Sequence, residues 1–193
     1  MRVISGSAKG YGLKVPKHRG LRPTPSRVKE AIFSSFAACI PGARVLELFA
    51  GTGAFAIETL SQGAAFAVLV EKDGRAASLI EQNLKKTHLQ EKARLVRGDV
   101  RQALEWLGRD TEVFDMIFAD PPYDKTISKK EETSWLNYLL QSPRLPSLLA
   151  PDGVLLIEYF KKQIPVKTDI WKAGKDFKFG DTIVTMFRQN RGS

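Results

Sequence analysis

Apolar residues along this chain follow two alternating rhythms. Short apolar runs, at Val45-Leu-Glu-Leu-Phe49, Ala65-Phe-Ala-Val-Leu-Val70, Arg94-Leu-Val-Arg97, Val113 to Ala119 and Val154-Leu-Leu-Ile-Glu158, have the length and composition of strands covered on both faces. Between them the spacing becomes helical. Phe55 to Ser61 predicts a helix, a second runs from about Asp73 with Ala76, Ile80 and Leu84 on one side, and others cover Val100 to Leu107 and the region of Leu136, Leu139 and Leu140. Strand and helix in strict alternation predict an α/β fold: a Rossmann-like, doubly wound, mostly parallel sheet with right-handed crossovers. After a tail with Trp171, Phe177 and Phe179, Thr182-Ile-Val-Thr-Met-Phe187 has no helix behind it and is expected to pair antiparallel at one side of the sheet.

The first part of the chain reads differently. Arg2-Val-Ile-Ser and Leu13-Lys-Val predict two short strands joined through Ser5 to Gly12, a small basic N-terminal hairpin over residues 1–20, with the Rossmann-like domain occupying 21–193. Thr24 is placed to cap a helix and Pro25 to begin it, with Val28, Ile32 and Phe36 at four-residue spacing to about Cys39 and Pro41-Gly42 ending it. Cys39 is expected as a small buried residue on that helix. The charged segment from Lys125 to Thr133 is expected to form a flap.

Charge sharpens the division. Residues 1–29 hold eight basic residues (Arg2, Lys9, Lys14, Lys17, Arg19, Arg22, Arg27 and Lys29) and no acid, whereas the remainder has 22 basic and 21 acidic residues. A basic end on a nearly neutral body points to a polyanion-binding arm, with Arg2, Lys9, Lys14, Lys17, Arg19 and Arg27 as RNA-binding candidates. The other bulk features exclude rather than assign. There is no apolar run of membrane-spanning length and no signal-peptide pattern, so no membrane partner and a cytoplasmic location are expected. One cysteine and two histidines offer neither a disulfide framework nor a zinc cluster, and no metal is expected.

The candidate chemistry lies at strand ends. Phe114 to Ala119 feeds Asp120-Pro121-Pro122-Tyr123, where two prolines stiffen the loop that carries the Asp120 carboxylate, the Asp120 and Pro121 carbonyls and the Tyr123 ring. Acceptors beside an aromatic face suit a planar amine such as the exocyclic amino group of a nucleobase, although a plain proline turn has the same sequence. Glu47-Leu-Phe-Ala-Gly-Thr-Gly53 is a glycine turn, neither a dinucleotide fingerprint nor a P-loop, so a diphosphate is not the favoured guest. Glu47 could help to bind an amine-bearing or positively charged ligand, Glu71 could accept both ribose hydroxyls of an adenosine, and Asp99 could accept from an adenine amino group. Each acid could instead cap the helix that follows it.

Taken in order, Glu47-x-x-x-Gly51-x-Gly53, Glu71, Gly98-Asp99 and Asp120-Pro-Pro-Tyr123 resemble the motifs of S-adenosylmethionine-dependent, Rossmann-like methyltransferases acting on an exocyclic amine. Arg2-Val-Ile-Ser-Gly and Gly20-Leu-Arg-Pro-Thr-Pro-Ser-Arg-Val-Lys-Glu30 narrow this to the bacterial 16S ribosomal RNA guanine-N2 methyltransferases, over nearly the whole chain. The departures are Phe55 where a third glycine is frequent and Ser5 where glycine is frequent. The resemblance implies S-adenosylmethionine held by Arg22, Thr24, Glu47, Phe49, Gly51, Gly53, Glu71, Asp99 and Asp120. It implies catalysis by Asp120, Pro121, Pro122 and Tyr123 on 16S ribosomal RNA, whether naked, in an assembling small subunit or in a complete one; a monomer is expected. Arg22 could equally serve RNA phosphate. Adenine-N6 methylation of DNA would suit the same tetrapeptide, but no obvious segment reads duplex sequence; a non-catalytic RNA-binding protein of this fold is the remaining alternative.

Overall fold

The computed structural model describes residues 1–15, 26–109, 112–122 and 134–190, with backbone alone for 26–29. The parallel strands are β1 (Arg44–Leu48), β2 (Phe66–Glu71), β3 (Ala93–Arg97), β4 (Phe114–Ala119) and β5 (Leu149–Phe160), followed by β6 (Trp171–Phe179) and β7 (Thr182–Gln189). They form one seven-stranded sheet in the order β3-β2-β1-β4-β5-β7-β6. The chain winds outward from β1 to β3, then returns to place β4 on the other side of β1, so the reversal lies between β1 and β4. Ligands of open α/β sheets sit outside the carboxyl ends at such a reversal.

Helices α1 (Ser26–Phe36), α2 (Ala54–Ser61) and α3 (Gly74–Lys86) cover one face, through Ile32, Phe36, Ile57, Leu60, Ile80 and Leu84. Helices α4 (Val100–Arg109), α5 (Trp135–Gln141) and α6 (Leu145–Leu148) cover the other, through Leu104, Leu107, Leu136, Leu139 and Leu148. Strand residues alternate between the layers, Val45 and Leu69 facing the first and Leu46 and Val70 the second. No helix among the described residues is long and apolar enough to cross a membrane.

The antiparallel C-terminal strand is present, with one strand more than expected. β7 does run antiparallel to β5, but it lies inside the sheet, and the stretch read as a tail is the edge strand β6. Five consecutive exposed residues in the middle of β6 hide its strand character, with Trp171 and Phe177 buried on opposite faces because a register shift falls between Ala173 and Asp176. Exposed Lys172, Lys175 and Lys178 mark that edge in the manner of strands that resist pairing with another chain.

Near the N-terminus the hairpin is short and one expectation is corrected. Residues 1–15 turn back on themselves through one antiparallel bridge, Arg2 to Gly12, flanked by Leu13 N–H donating to the Met1 carbonyl at 2.8 Å and Val3 N–H to the Tyr11 carbonyl at 3.0 Å. The pairing goes no further because the next amides turn towards α2 and α3. Cys39 is exposed, since α1 ends at Phe36 and the turn after it carries the thiol out of the core. Thr24, Pro25 and the segment Lys125 to Thr133 lie outside the described residues.

Candidate active site

Register sets the crevice. Leu48 pairs with Val70 on one side and Ala119 on the other, so the next residues, Phe49, Glu71 and Asp120, stand in a row along the carboxyl edge. Asp120 is exposed, Pro121 buried and Pro122 exposed. Beneath them Phe118 stacks on Phe55 with centroids 4.2 Å apart and planes 7° from parallel, and Phe33 of α1 packs on Phe55 at 5.2 Å. These rings fix the start of α2 to the end of β4.

The glycine turn is held by carboxylates. Gly53 caps α2 in the left-handed region (φ 72°) and has no side chain to receive the first amides of the helix. Glu47 supplies one from β1: its oxygens accept from Phe55 N–H (3.2 Å) and Ala56 N–H (2.9 Å), the work usually done by an Asp or Ser at the cap. At 4% exposure, Glu47 fixes the turn from below. A side chain at Gly53 would meet Leu69 at 3.0 Å, so this glycine serves helix-to-sheet packing. Gly51 has φ 57° and nothing nearer than 3.9 Å to a would-be Cβ, so its open side faces the crevice.

Glu71 joins the turn to β2. One oxygen accepts from Gly51 N–H at 2.7 Å and the other from Asp73 N–H at 2.7 Å, while the residue stays partly exposed. A carboxylate accepts about four hydrogen bonds, so capacity remains on the crevice side. Asp99 caps α4, accepting from Arg101 N–H at 2.9 Å, and pairs with Lys72 at 3.0 Å. The Arg101 amide, with the Lys72 ammonium behind it, holds the Asp99 carboxyl below the usual carboxylate range against an opposing effect of burial. Both acids therefore sit where the strand pattern puts them, and both also hold backbone.

Three residues beside the crevice escape sequence reading. Trp135 packs edge-on against Phe49 at 4.8 Å, and the Arg101 guanidinium lies over Trp135 at 4.1 Å and over Tyr138 at 5.0 Å. Phe49 itself has φ 58°, a costly conformation for a bulky residue, maintained at the bend between β1 and the glycine turn. Trp135 follows the segment after the two prolines, so the ring contact ties the far end of that segment to the turn. Nothing in local spacing pairs residues so distant along the chain.

The basic arm is anchored by buried polar side chains. Glu58, 3% exposed, accepts from Ile4 N–H (2.8 Å), Ser5 N–H (2.9 Å) and the Gln62 amide (2.9 Å). Ser61 Oγ accepts from Ala8 N–H at 2.9 Å, and Gly6 (φ 80°) lies so close that a Cβ would fall 1.8 Å from the Ser61 carbonyl oxygen. Asn83, fully buried, accepts from Lys14 N–H at 2.7 Å and donates to the Lys14 carbonyl (3.1 Å) and the Thr52 carbonyl (3.0 Å). One amide thus joins the arm to the glycine turn. A signal for it exists: Ile80, Asn83, Leu84 and Thr87 follow the i, i+3, i+4, i+7 stripe of a buried helix face. Arg2, Lys9 and Lys14 are exposed, while Lys17, Arg19, Arg22, Thr24, Tyr123 and the Arg27 side chain lie outside the described residues.

A reversed parallel sheet with an antiparallel final pair, a glycine turn after β1 and acids at successive strand ends define a Rossmann-like methyltransferase fold. The family described as Conserved hypothetical protein 95 matches residues 1–188, and the chain belongs to that family. It is 36% identical over 145 residues to ribosomal RNA small subunit methyltransferase D of Escherichia coli strain K12, covering 70% of this chain and 69% of that protein. The Haemophilus influenzae protein of the same name is 32% identical over 170 residues, covering 82% and 86% respectively. The solved structure of yhhF from Escherichia coli, described as a candidate methyltransferase, superposes with a TM-score of 0.77 at 30% identity over 98% of this chain and 97% of that one.

Proposed function

We propose that this protein transfers the methyl group of S-adenosylmethionine to the exocyclic N2 amine of a guanine in 16S ribosomal RNA of the small ribosomal subunit. The observation that carries the reading is the row of Phe49, Glu71 and Asp120 above an open Gly51, a cradle for an adenosyl cofactor ending at an amine-accepting loop. Family membership and the names of the relatives support the reaction and its RNA substrate. The protein works in the cytoplasm as a monomer, on RNA that is naked or in an assembling subunit.

The residues present fit the cofactor. Glu71 retains acceptor capacity for ribose hydroxyls, Asp99 lies at the next strand end, and the open side of Gly51 lets the backbone approach a ligand. When bound, the cofactor supplies an electrophilic methyl group on a positively charged sulfur. Guanine N2 is a weak nucleophile because its lone pair is delocalised into the ring. Asp120 and the Pro121 carbonyl accept the two N–H bonds of the amine, favouring a pyramidal nitrogen whose lone pair is directed at the methyl group. The base enters unpaired or flipped, stacked on Tyr123. Loss of the proton after transfer needs no strong base, and Asp120 or water receives it.

The test is incubation of the protein with S-adenosylmethionine and small-subunit ribosomal RNA, followed by nucleoside digestion and mass spectrometry. N2-methylguanosine is the expected product. Methyl transfer appearing only in N6-methyladenosine would move the reading to an adenine enzyme.

A further inference from the structure

We propose that the arm and the C-terminal end of α3 together form a second RNA-docking surface, in which the rings of Tyr11 and His88 receive an unpaired base and Arg2, Lys9, Lys85 and Lys86 receive the flanking phosphates. The proposal rests on the RNA reading above and deepens it, because it assigns a folded RNA as substrate.

Three observations carry it. The structure brings together residues more than 70 positions apart: Lys86 Nζ donates to the Gly12 carbonyl at 2.6 Å, and the Tyr11 and His88 rings meet edge to face with centroids 6.2 Å apart. Tyr11 is 37% exposed although it lies between the buried anchors Ala8 and Leu13. An aromatic face beside cations is the composition of single-strand binding surfaces.

The second observation is charge. Arg2 and Lys86 donate to neutral backbone carbonyls, and among the described ion pairs none involves Arg2, Lys9, Lys85 or Lys86. Glu81, an acid on the same helix, is engaged by Arg97 at 2.7 Å. Among the described residues, the cations of this corner therefore have no acidic ion-pair partner.

The third is backbone strain. α3 ends with Leu89 N–H donating to the Leu84 carbonyl (3.0 Å) and His88 N–H to the Lys85 carbonyl (3.2 Å), a closure that requires a left-handed residue at position 88. Glycine is the usual occupant, yet His88 holds φ 58° there. An imidazole therefore stands in a position that favours glycine, beside an exposed tyrosine.

Position gives the consequence. α3 runs from Gly74, beside Glu71, to Lys86, and Asn83 near its end donates to the Thr52 carbonyl of the glycine turn at 3.0 Å, so the docking surface is held in a fixed position relative to the crevice. An RNA touching both must present its target base and a second unpaired base at a fixed separation, as a folded RNA does and a short strand does not.

The experiment measures affinity, without cofactor, for deproteinised small-subunit ribosomal RNA and for a short guanine-containing oligonucleotide. The variants are Tyr11→Ala, Tyr11→Phe, His88→Gly and the pair Lys85→Gln with Lys86→Gln. Tyr11→Ala and His88→Gly are expected to lower affinity for the long RNA about tenfold, with oligonucleotide affinity unchanged. Tyr11→Phe keeps binding, and the lysine pair lowers the slope of log K against log salt by roughly 1.4 to 1.8. His88→Gly is the decisive variant, because relief of the left-handed strain leaves thermal stability equal or higher while RNA affinity falls. Unchanged long-RNA affinity in Tyr11→Ala and in the lysine pair overturns the proposal, as does equal loss on long and short RNA. Retained RNA affinity with lost binding to polyglutamate overturns it in favour of an acidic protein partner. Since binding is read without cofactor, absence of methyl transfer by the unaltered protein would count against the proposed reaction and not against this surface.

Discussion

The carboxyl-edge crevice and the underside of the N-terminal arm use the same device, a side-chain oxygen receiving backbone N–H groups, and differ in what remains over. Under the arm, Glu58 and Asn83 are buried, and Asn83 commits three of its four hydrogen-bonding positions to named partners. At the crevice, Glu71 commits one bond from each oxygen and stays partly exposed, and Asp99 does much the same. Saturated groups hold the chain; groups with acceptor capacity facing solvent can hold the chain and a ligand at once. Glu47 falls with the first kind although it belongs to the crevice motif, because its oxygens receive α2 from inside the core.

The comparison breaks most visibly at Asp120. Asp120→Ala is expected to lower single-turnover methyl transfer on the order of a hundredfold to a thousandfold, with a much smaller effect on cofactor affinity by calorimetry, because the role proposed for the lost carboxylate is to accept from the amine. A fully active variant would remove Asp120 from the chemistry. Glu71→Ala comes next. It is expected to weaken cofactor binding by roughly 1.5 to 3 kcal/mol, and RNA affinity measured in parallel stays as it was. Unchanged cofactor affinity would reduce Glu71 to a brace for Gly51.

Glu58→Ala probes the other region and has the smaller, purely structural effect. Removing the acceptor of the Ile4 and Ser5 amides is expected to cost about 2 kcal/mol of stability, read by chemical denaturation. Cofactor affinity of the folded variant stays the same. A variant as stable as the parent would show that Val3, Ala8 and Leu13, with the bonds of Ser61 and Asn83, hold the arm without Glu58.

Much of this was legible in the sequence, for identifiable reasons. β1, β2 and β4 are short, mainly apolar and buried, and separated by helical spacing, so local pattern and final burial agree. The same parallel pattern puts Glu71, Asp99 and Asp120 at strand ends before any contact is known. β6 was missed because its middle residues are exposed and a bulge breaks its alternation. Asn83 and Glu58 were passed over because a polar residue on a helix ordinarily faces water, and only the incoming arm supplies the amides that make burial tolerable. Arg101, Trp135 and Phe49 meet across two layers of connection, a proximity that composition and spacing do not encode.

Chemistry at the crevice and RNA docking on the basic arm are predicted to be separable properties. Steady-state kinetics on one small-subunit RNA substrate, comparing Asp120→Ala with a variant lacking the charges of Lys9, Lys14, Lys17 and Arg19, tests this most directly. The predicted result is a fall in kcat with RNA KM retained for Asp120→Ala. For the four-site variant it is a rise in RNA KM with kcat retained, together with a log K against log salt slope that is shallower by roughly 0.7 to 0.9 per lost phosphate contact. An unchanged KM and an identical salt slope in the four-site variant would contradict this, since Lys9, Lys14, Lys17 and Arg19 would then be solvated surface and the docking face would lie elsewhere.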